Sequence, residues 1–265
     1  MRRALALVLV VLAAAPARAQ SSKAYSYDFQ LDEGSRTHDV TRGTVRVSGD
    51  RARVDVESNE ADREYFILTD GGKTLYVVHP DRRTIDRHDG DAFASIVGTG
   101  LRAASPVVQF TMKDFTIDTT HYGEGGTVAG RHTMRSGLSE HWRLDMRAMG
   151  IVHEEMGGSA EATYWTDPTL TLMRNPLYDI VSSAMYAMAA SDRKFSSASL
   201  AARRSLLHGA LLKADISYAM KDGDHDREHL RYEVTRITPG AVDEKLFALP
   251  KDFRIETPTA TKVRM

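Results

Sequence analysis

Tyr25, Tyr27, Phe29 and Leu31 alternate with Ser26, Asp28, Gln30 and Asp32. Successive side chains of a strand point to opposite faces, so this run is a strand with one apolar and one polar face. The pattern recurs. Val45 and Val47, the turn Ser48-Gly49-Asp50-Arg51, and then Ala52, Val54 and Val56 read as an antiparallel hairpin. The stretch EYFILTDGGKTLYVVHPDRRTIDR adds two strands around Asp70-Gly71-Gly72 and a third after His79-Pro80-Asp81. Further strand-like segments cover 107–119, 126–136, 139–149 and 152–166, with turn signals at Gly123-Glu124-Gly125-Gly126, Ser136-Gly137, Gly150 and Gly157-Gly158. Two long runs, 210–221 and 227–238, flank the polar turn Asp222 to Asp226.

Three stretches change period. In 91–104, Phe93, Ile96, Val97, Leu101 and Ala104 line one helical face behind Asp91 as N-cap, although Gly98 and Gly100 weaken the helix. A second helix starts at Asn175-Pro176, an N-cap with proline at the first helical position, and Leu177, Ile180, Val181, Ala184, Met185 and Met188 form its stripe. A third covers 197–208 and ends near Gly209. Helices inserted at a few places among antiparallel strands, instead of alternating with them, argue an α+β fold. The expected architecture is one large, curled antiparallel sheet of about 10–11 strands, an incomplete β-barrel, with about three helices covering its concave face. With no internal repeat and no Pro-, Gly- or Ser-rich linker, residues 20–265 read as a single domain.

The first residues, MRRALALVLVVLAAAPARA, combine Arg2 and Arg3, an apolar run from Ala4 to Ala15 and the small-x-small triplet Ala17-Arg18-Ala19. This is the pattern of a secretory signal peptide over 1–19, too short to anchor in a bilayer. Cleavage leaves 246 of the 265 residues. The chain has no cysteine, hence neither a disulfide framework nor the acylated cysteine of a lipoprotein, which points to a periplasmic protein that is not lipid-anchored. Removing Arg2, Arg3 and Arg18 leaves 32 basic residues against 36 acidic, a net charge of −4, and no nucleic-acid partner is implied. No later apolar run is long enough to span a membrane.

Several local patterns together carry a family resemblance. FILTDGGKTLYVVHPDRRTIDR, TVAGRHTMR and IVHEEMGGSAEATYWTDP resemble successive strand motifs of the LolA/LolB-like half-barrel superfamily of periplasmic outer-membrane lipoprotein carriers. The closing AVDEKLFALPKDF, with Val242, Leu246, Phe247, Pro250 and Phe253, is similar to its terminal pattern. Most of the mature chain takes part, and the nearest likeness is to an uncharacterised exported domain family within that superfamily. The resemblance implies an incomplete barrel whose apolar concave face is lidded by helices and in some members holds an acyl chain. No polar cavity residue of the carriers maps onto this sequence.

Catalytic and metal-site patterns are weak. His225 and His229 stand four apart, but in a stretch rich in turn residues between two alternating runs, so a solvated hairpin tip is the better reading. His153 and Glu155 share a strand face and would need a cross-strand partner such as His141 to build a three-ligand cluster. There is no G-x-S-x-G elbow and no P-loop, and cysteine nucleophiles are excluded. The chain is expected not to be an enzyme and to need no cofactor or metal. What remains is binding of an acyl chain or other apolar group in the half-barrel. The candidate lining is Phe66, Leu68, Trp142, Leu144 and Met146 from strands and Leu177, Ile180, Met185 and Met188 from the helical stripe. The alternative is an envelope protein with a filled core that acts through contacts with an unidentified protein partner. In ITPGAVDEKLFALPKDFRIETP, Asp243 should cap one short turn over 244–247 and Pro250 should end it. Phe253 and Ile255 would then enter a last strand that closes one end or edge of the sheet.

Overall fold

The computed structural model describes residues 24–34, 40–57, 64–89, 108–148, 152–173, 175, 177–178, 192–220 and 228–256. Twelve strands form one sheet: β1 (Ala24–Asp32), β2 (Val40–Ser48), β3 (Arg51–Glu57), β4 (Tyr65–Thr69), β5 (Thr74–His79), β6 (Thr84–Asp89), β7 (Val108–Val128), β8 (Arg131–Ala148), β9 (Val152–Asp167), β10 (Ala210–Met220), β11 (Glu228–Pro239) and β12 (Arg254–Glu256). Their order is β12-β6-β5-β4-β3-β2-β1-β11-β10-β9-β8-β7, antiparallel throughout except that β12 runs parallel to β6. Two meanders, β1–β6 and β7–β11, meet where β1 pairs β11 across most of the chain length.

The expectation of about three helices and 10–11 strands is corrected. The described residues hold twelve strands and one α-helix, α1 (Arg193–Leu206). The stretch 91–104 lies outside the described residues, and of the stripe predicted from Leu177 to Met188 only Leu177 falls within them. Strand boundaries also differ. Residues 108–128 form one strand of 21 residues where the glycines suggested a break, and 131–148 runs unbroken through Ser136-Gly137. Gly123 and Gly126 sit at register shifts with φ of 89° and 79°, so these glycines make bulges, and Gly137 leaves room for the Tyr122 ring. The true reversal is Ala129-Gly130, both at positive φ, a two-residue hairpin loop whose twist suits its strands.

Cross-strand partners share a face, so the register fixes an inner face. It carries Tyr27, Phe29 and Leu31 on β1, Val45 and Val47 on β2, Ala52 and Val54 on β3, and Phe66 and Leu68 on β4. It continues through Leu230, Tyr232 and Val234 on β11, Ala214 and Ile216 on β10, Ala162 and Tyr164 on β9, and Leu138 on β8, all within one buried cluster. The outer face is ionic, as in the pairs Arg46–Asp55, Arg236–Asp28 and Arg231–Asp215. The sheet curls strongly, because β7 returns to within 8 Å (Cα to Cα) of β11 although β10, β9 and β8 lie between them. In a flat sheet strands four places apart would be about 19 Å apart.

Helix α1 lies against β7 and β8. Asp192 caps it, accepting from the Lys194 and Phe195 N–H groups at 2.8 and 2.9 Å. Phe195 packs edge-on to Phe115 and against Trp142, with ring centroids 5.4 and 5.7 Å apart. The C-terminal tail behaves as its sequence suggests locally: Asp243 accepts from the Lys245 N–H at 3.0 Å and caps a 3-10 turn over Glu244–Phe247. It covers the outer face, however, where Arg53 donates to the Leu246 carbonyl at 3.2 Å and Arg51 stacks over the Phe247 ring. Ile67, Val78 and Ile85 are fully buried on that face of β4, β5 and β6, and β12 then covers the β6 edge.

Candidate functional site

The inner face of the curled sheet is largely apolar, and the residues lying over that face decide what it can hold. After β9, the chain crosses the inner side as a strap, 168–173. Asp167 begins it by accepting from the Thr169 N–H and hydroxyl at 2.8 and 2.7 Å. Two tyrosines of β1 then grip the backbone of one residue: Tyr25 Oη accepts from the Met173 N–H at 2.6 Å, and Tyr27 Oη donates to the Met173 carbonyl at 2.8 Å. Buried tyrosines need partners for their hydroxyls, and here those partners fix the strap. Burial pushes the Tyr25 phenol above its ordinary range, while its bond to Met173 pulls the other way.

Between strap and sheet lies a cavity of about 200 Å³, lined by Tyr27, Leu172, Met173, Asn175, Leu207, Gly209, Leu211 and Tyr232. Apart from the tyrosine hydroxyls and the Asn175 amide, its side chains are apolar, and none carries a charge. Asn175 is 2% exposed, and its Oδ1 accepts from the Leu177 N–H at 3.0 Å, which is the N-cap role expected of it. A second, more open cavity of about 390 Å³ lies beside the β7–β8 loop, with Glu124, Arg131, Met134, Asp167 and Thr169 among its walls. Burial raises the Asp167 carboxyl, but hydrogen bonds from Thr169 and Arg131 outweigh it and hold the group below the usual carboxylate range.

The sequence-predicted lining residues separate into three groups. Phe66 and Leu68 belong to the main core, while Trp142 and Leu144 form a second cluster with Ala160, Phe195 and Tyr218 beneath α1. All four are 8% exposed or less, and none lines either cavity. Leu177 packs against the main core. Met146 lies on β8 opposite Glu154, and Ile180, Met185 and Met188 lie outside the described residues. The residues that do line the smaller cavity, above all Tyr27, Asn175 and Tyr232, stand in the sequence only as strand or cap positions. The available signal was that tyrosine, placed on an apolar strand face, brings a hydroxyl that must be satisfied there.

A polar group also sits within the inner face. Glu140 is 0% exposed, between Leu138 and Trp142 on the same side of β8. It accepts from the Ser199 hydroxyl and from Arg203 Nη2 at 3.4 Å, two residues one turn apart on the underside of α1. This ties the helix to the sheet by a charge-assisted clamp. The histidine cluster weighed from sequence is not assembled, because His141 pairs with Ser159 whereas His153 pairs with Arg147. His229 lies in β11 and His225 falls outside the described residues. Among the described residues, no three His, Asp or Glu side chains are placed to hold a metal ion.

The sheet and its strapped interior define the class as an antiparallel half-barrel with an apolar lumen. No family model matches the sequence, and no curated protein matches it. Among solved structures, the chain is similar to a LolA superfamily protein from Nitrosomonas europaea, at 9% identity and a TM-score of 0.31, covering 86% of this chain and 91% of that one. It is also similar to MucB, solved in complex with MucA(peri), at 12% identity and a TM-score of 0.33, covering 89% of this chain and 57% of that one. The first belongs to the superfamily that the sequence motifs resemble. At these scores neither likeness bears on what the chain binds. No helix among the described residues is long and apolar enough to cross a membrane.

Proposed function

We propose that the mature chain is an exported, periplasmic, non-enzymatic protein that shelters an apolar, lipid-like ligand inside its curled sheet. One observation carries this reading: a strap pinned by Tyr25 and Tyr27 lies over a cavity of about 200 Å³ on the inner face, with no charged side chain in its lining. Small-molecule sites combine apolar side chains, here Leu172, Leu207 and Leu211, with polar groups that fix orientation, here the tyrosine hydroxyls. The volume suits a chain end or ring better than a whole lipid, so the remainder of a larger ligand would extend along the strap.

A filled-core protein acting on a protein partner is the second reading, and the burial of Phe66, Leu68, Trp142 and Leu144 at 8% exposure or less favours it. One experiment separates the two. The protein is purified from its native envelope, extracted with organic solvent and the extract analysed by mass spectrometry. The stripped protein is then melted with and without medium-chain fatty acids. Ligand sheltering predicts a co-purifying apolar compound and a rise in melting temperature with ligand concentration, by mass action on the folded state. An empty extract together with an unchanged melting temperature establishes the filled core instead.

A further inference from the structure

The open cavity of about 390 Å³ beside the β7–β8 loop has charges of both signs in its walls. Arg131 stands there as a fixed guanidinium. Its Nε donates to Asp167 Oδ2 at 2.7 Å and its Nη2 to Thr169 Oγ1 at 3.0 Å, while the Asp167 side chain, 3% exposed, is held in turn by the Thr169 N–H and hydroxyl. One edge of the guanidinium fork is thereby locked. The Nη1–Nη2 edge meets no acceptor among the described residues, and the side chain is 43% exposed. An arginine presented in this way offers a carboxylate two parallel N–H groups. The opposite charge is Glu124. It pairs with Met134 in the β7–β8 ladder, three residues along β8 from Arg131, so about 10 Å separates the two backbone positions. Glu124 is exposed and has no ion-pair partner among the described residues. Gly126 and Gly130 line the same cavity, and a Cβ built on either would meet nothing within 4 Å, so the space beside them is clear.

We propose that this cavity binds a small zwitterion of dipeptide size, its carboxylate on the free edge of Arg131 and its ammonium on Glu124. The charge balance selects both signs. Glu124 and Asp167 together outnumber Arg131 by one charge, so a plain anion meets net repulsion, whereas a ligand that brings its own ammonium is matched at each end. Size follows from the spacing. An extended chain spans about 3.5 Å per residue, so the ends of a dipeptide stand roughly 7 Å apart and fit between groups carried on backbone positions about 10 Å apart. Met134, 46% exposed in the same wall, packs on the apolar part between the two charges. The site lies apart from the strapped cavity, and it stands or falls independently of the apolar ligand proposed there.

The test uses the full mature protein with L-alanyl-L-alanine as probe, and its N-acetyl and C-terminal amide forms as controls that each lack one charge. Backbone amides are followed by nitrogen-15 NMR, and affinities are taken from the same titrations. The free dipeptide should shift the Gly126 and Gly130 amides, and blocking either end should weaken it roughly tenfold. Glu124→Gln should weaken the free dipeptide by a similar factor and leave the N-acetyl form within about twofold, since that form brings no ammonium. Arg131→Lys keeps a cation beside Asp167 but loses the fork, and should weaken the free and N-acetyl forms while sparing the amide. If a blocked form binds as tightly as the free dipeptide, the zwitterion is overturned. If no form moves the two glycine amides at millimolar concentration, the cavity is not a site of this kind. The comparison of the three ligands on the wild-type protein decides the matter even if the Arg131 variant does not fold.

Discussion

At the residue scale, glycines and buried polar atoms report most on how the inner face is built. Gly158 stands opposite Trp142 in the β8–β9 ladder, and a Cβ there would come within 2.5 Å of the indole. Gly158→Ala should therefore destabilise the protein by about 1–3 kcal/mol through overpacking. Urea unfolding should show a lower midpoint at unchanged slope, and the emission of Trp142, one of only two tryptophans, should shift. Gly49→Ala, where φ is +63° but no atom stands within 4 Å, should cost only its backbone strain and leave the emission alone. Tyr218 gives a pH signature. Burial first, and then the charge of Glu228, push its phenol up to about 12 from an ordinary value of 10.0. Its folded value is raised, so its contribution is fully present below pH 10 and is lost as pH rises from 10 towards 12, when the unfolded chain ionises and the folded one resists. Tyr25 and Tyr65 are raised in the same direction, so the test is a difference. Between pH 9 and 11.5, Tyr218→Phe should lose less stability than wild type, by up to about 2 kcal/mol.

At the scale of elements, the period-two runs of β1 to β6 were legible because one face of each is wet and the other dry. The long strands β7 and β8 were less legible, since glycine signals a bulge or a close approach as readily as a turn, and only the partner strand decides which. The tail was legible as a capped turn from Asp243 and Pro250, yet which face it covers depends on Arg51, Arg53 and Ile67 from strands far away in sequence. The cavity lay beyond single-sequence reading for the same reason, because Tyr25 and Tyr27 meet Met173 across nearly 150 residues. Two elements can be tested separately. Phe247 is 6% exposed beneath Arg51, and Phe247→Ala should cost about 3 kcal/mol, measured by chemical unfolding, without altering the environment of Trp142 on the other face. Helix α1 depends on Glu140. Glu140→Ala removes the acceptor shared by Ser199 and Arg203 and should destabilise by about 1–3 kcal/mol. Replacing Glu140 and Arg203 together by leucine should recover much of that loss, which a simple cavity at position 140 would not allow.

At the scale of the molecule, the sheet holds together through one ladder. The meander β1–β6 and the meander β7–β11 share the β1–β11 pairing, with the strap and the β12–β6 pairing as secondary ties. Joining residues so far apart before any contact rewards it makes this ladder the costly step in loop-closure entropy. The absence of cysteine from the chain makes a clean test available. Ser26 pairs with Thr238 on the outer face, away from the cavity, and directly opposed residues in a ladder lie about 4.5–5.5 Å apart at Cα, within disulfide range. The double substitution Ser26→Cys and Thr238→Cys should oxidise spontaneously to a single intramolecular bridge. Closing a loop of more than 200 residues should then stabilise the protein by up to about 5 kcal/mol relative to the same variant reduced, less any strain in the bond. Thr235→Cys in place of Thr238→Cys, at the irregularity between Asp28 and Phe29, has no partner opposite Ser26 and should stay reduced. If the two pairs oxidise equally well, the register joining the halves is wrong, and with it the inner face on which Tyr25 and Tyr27 meet the strap.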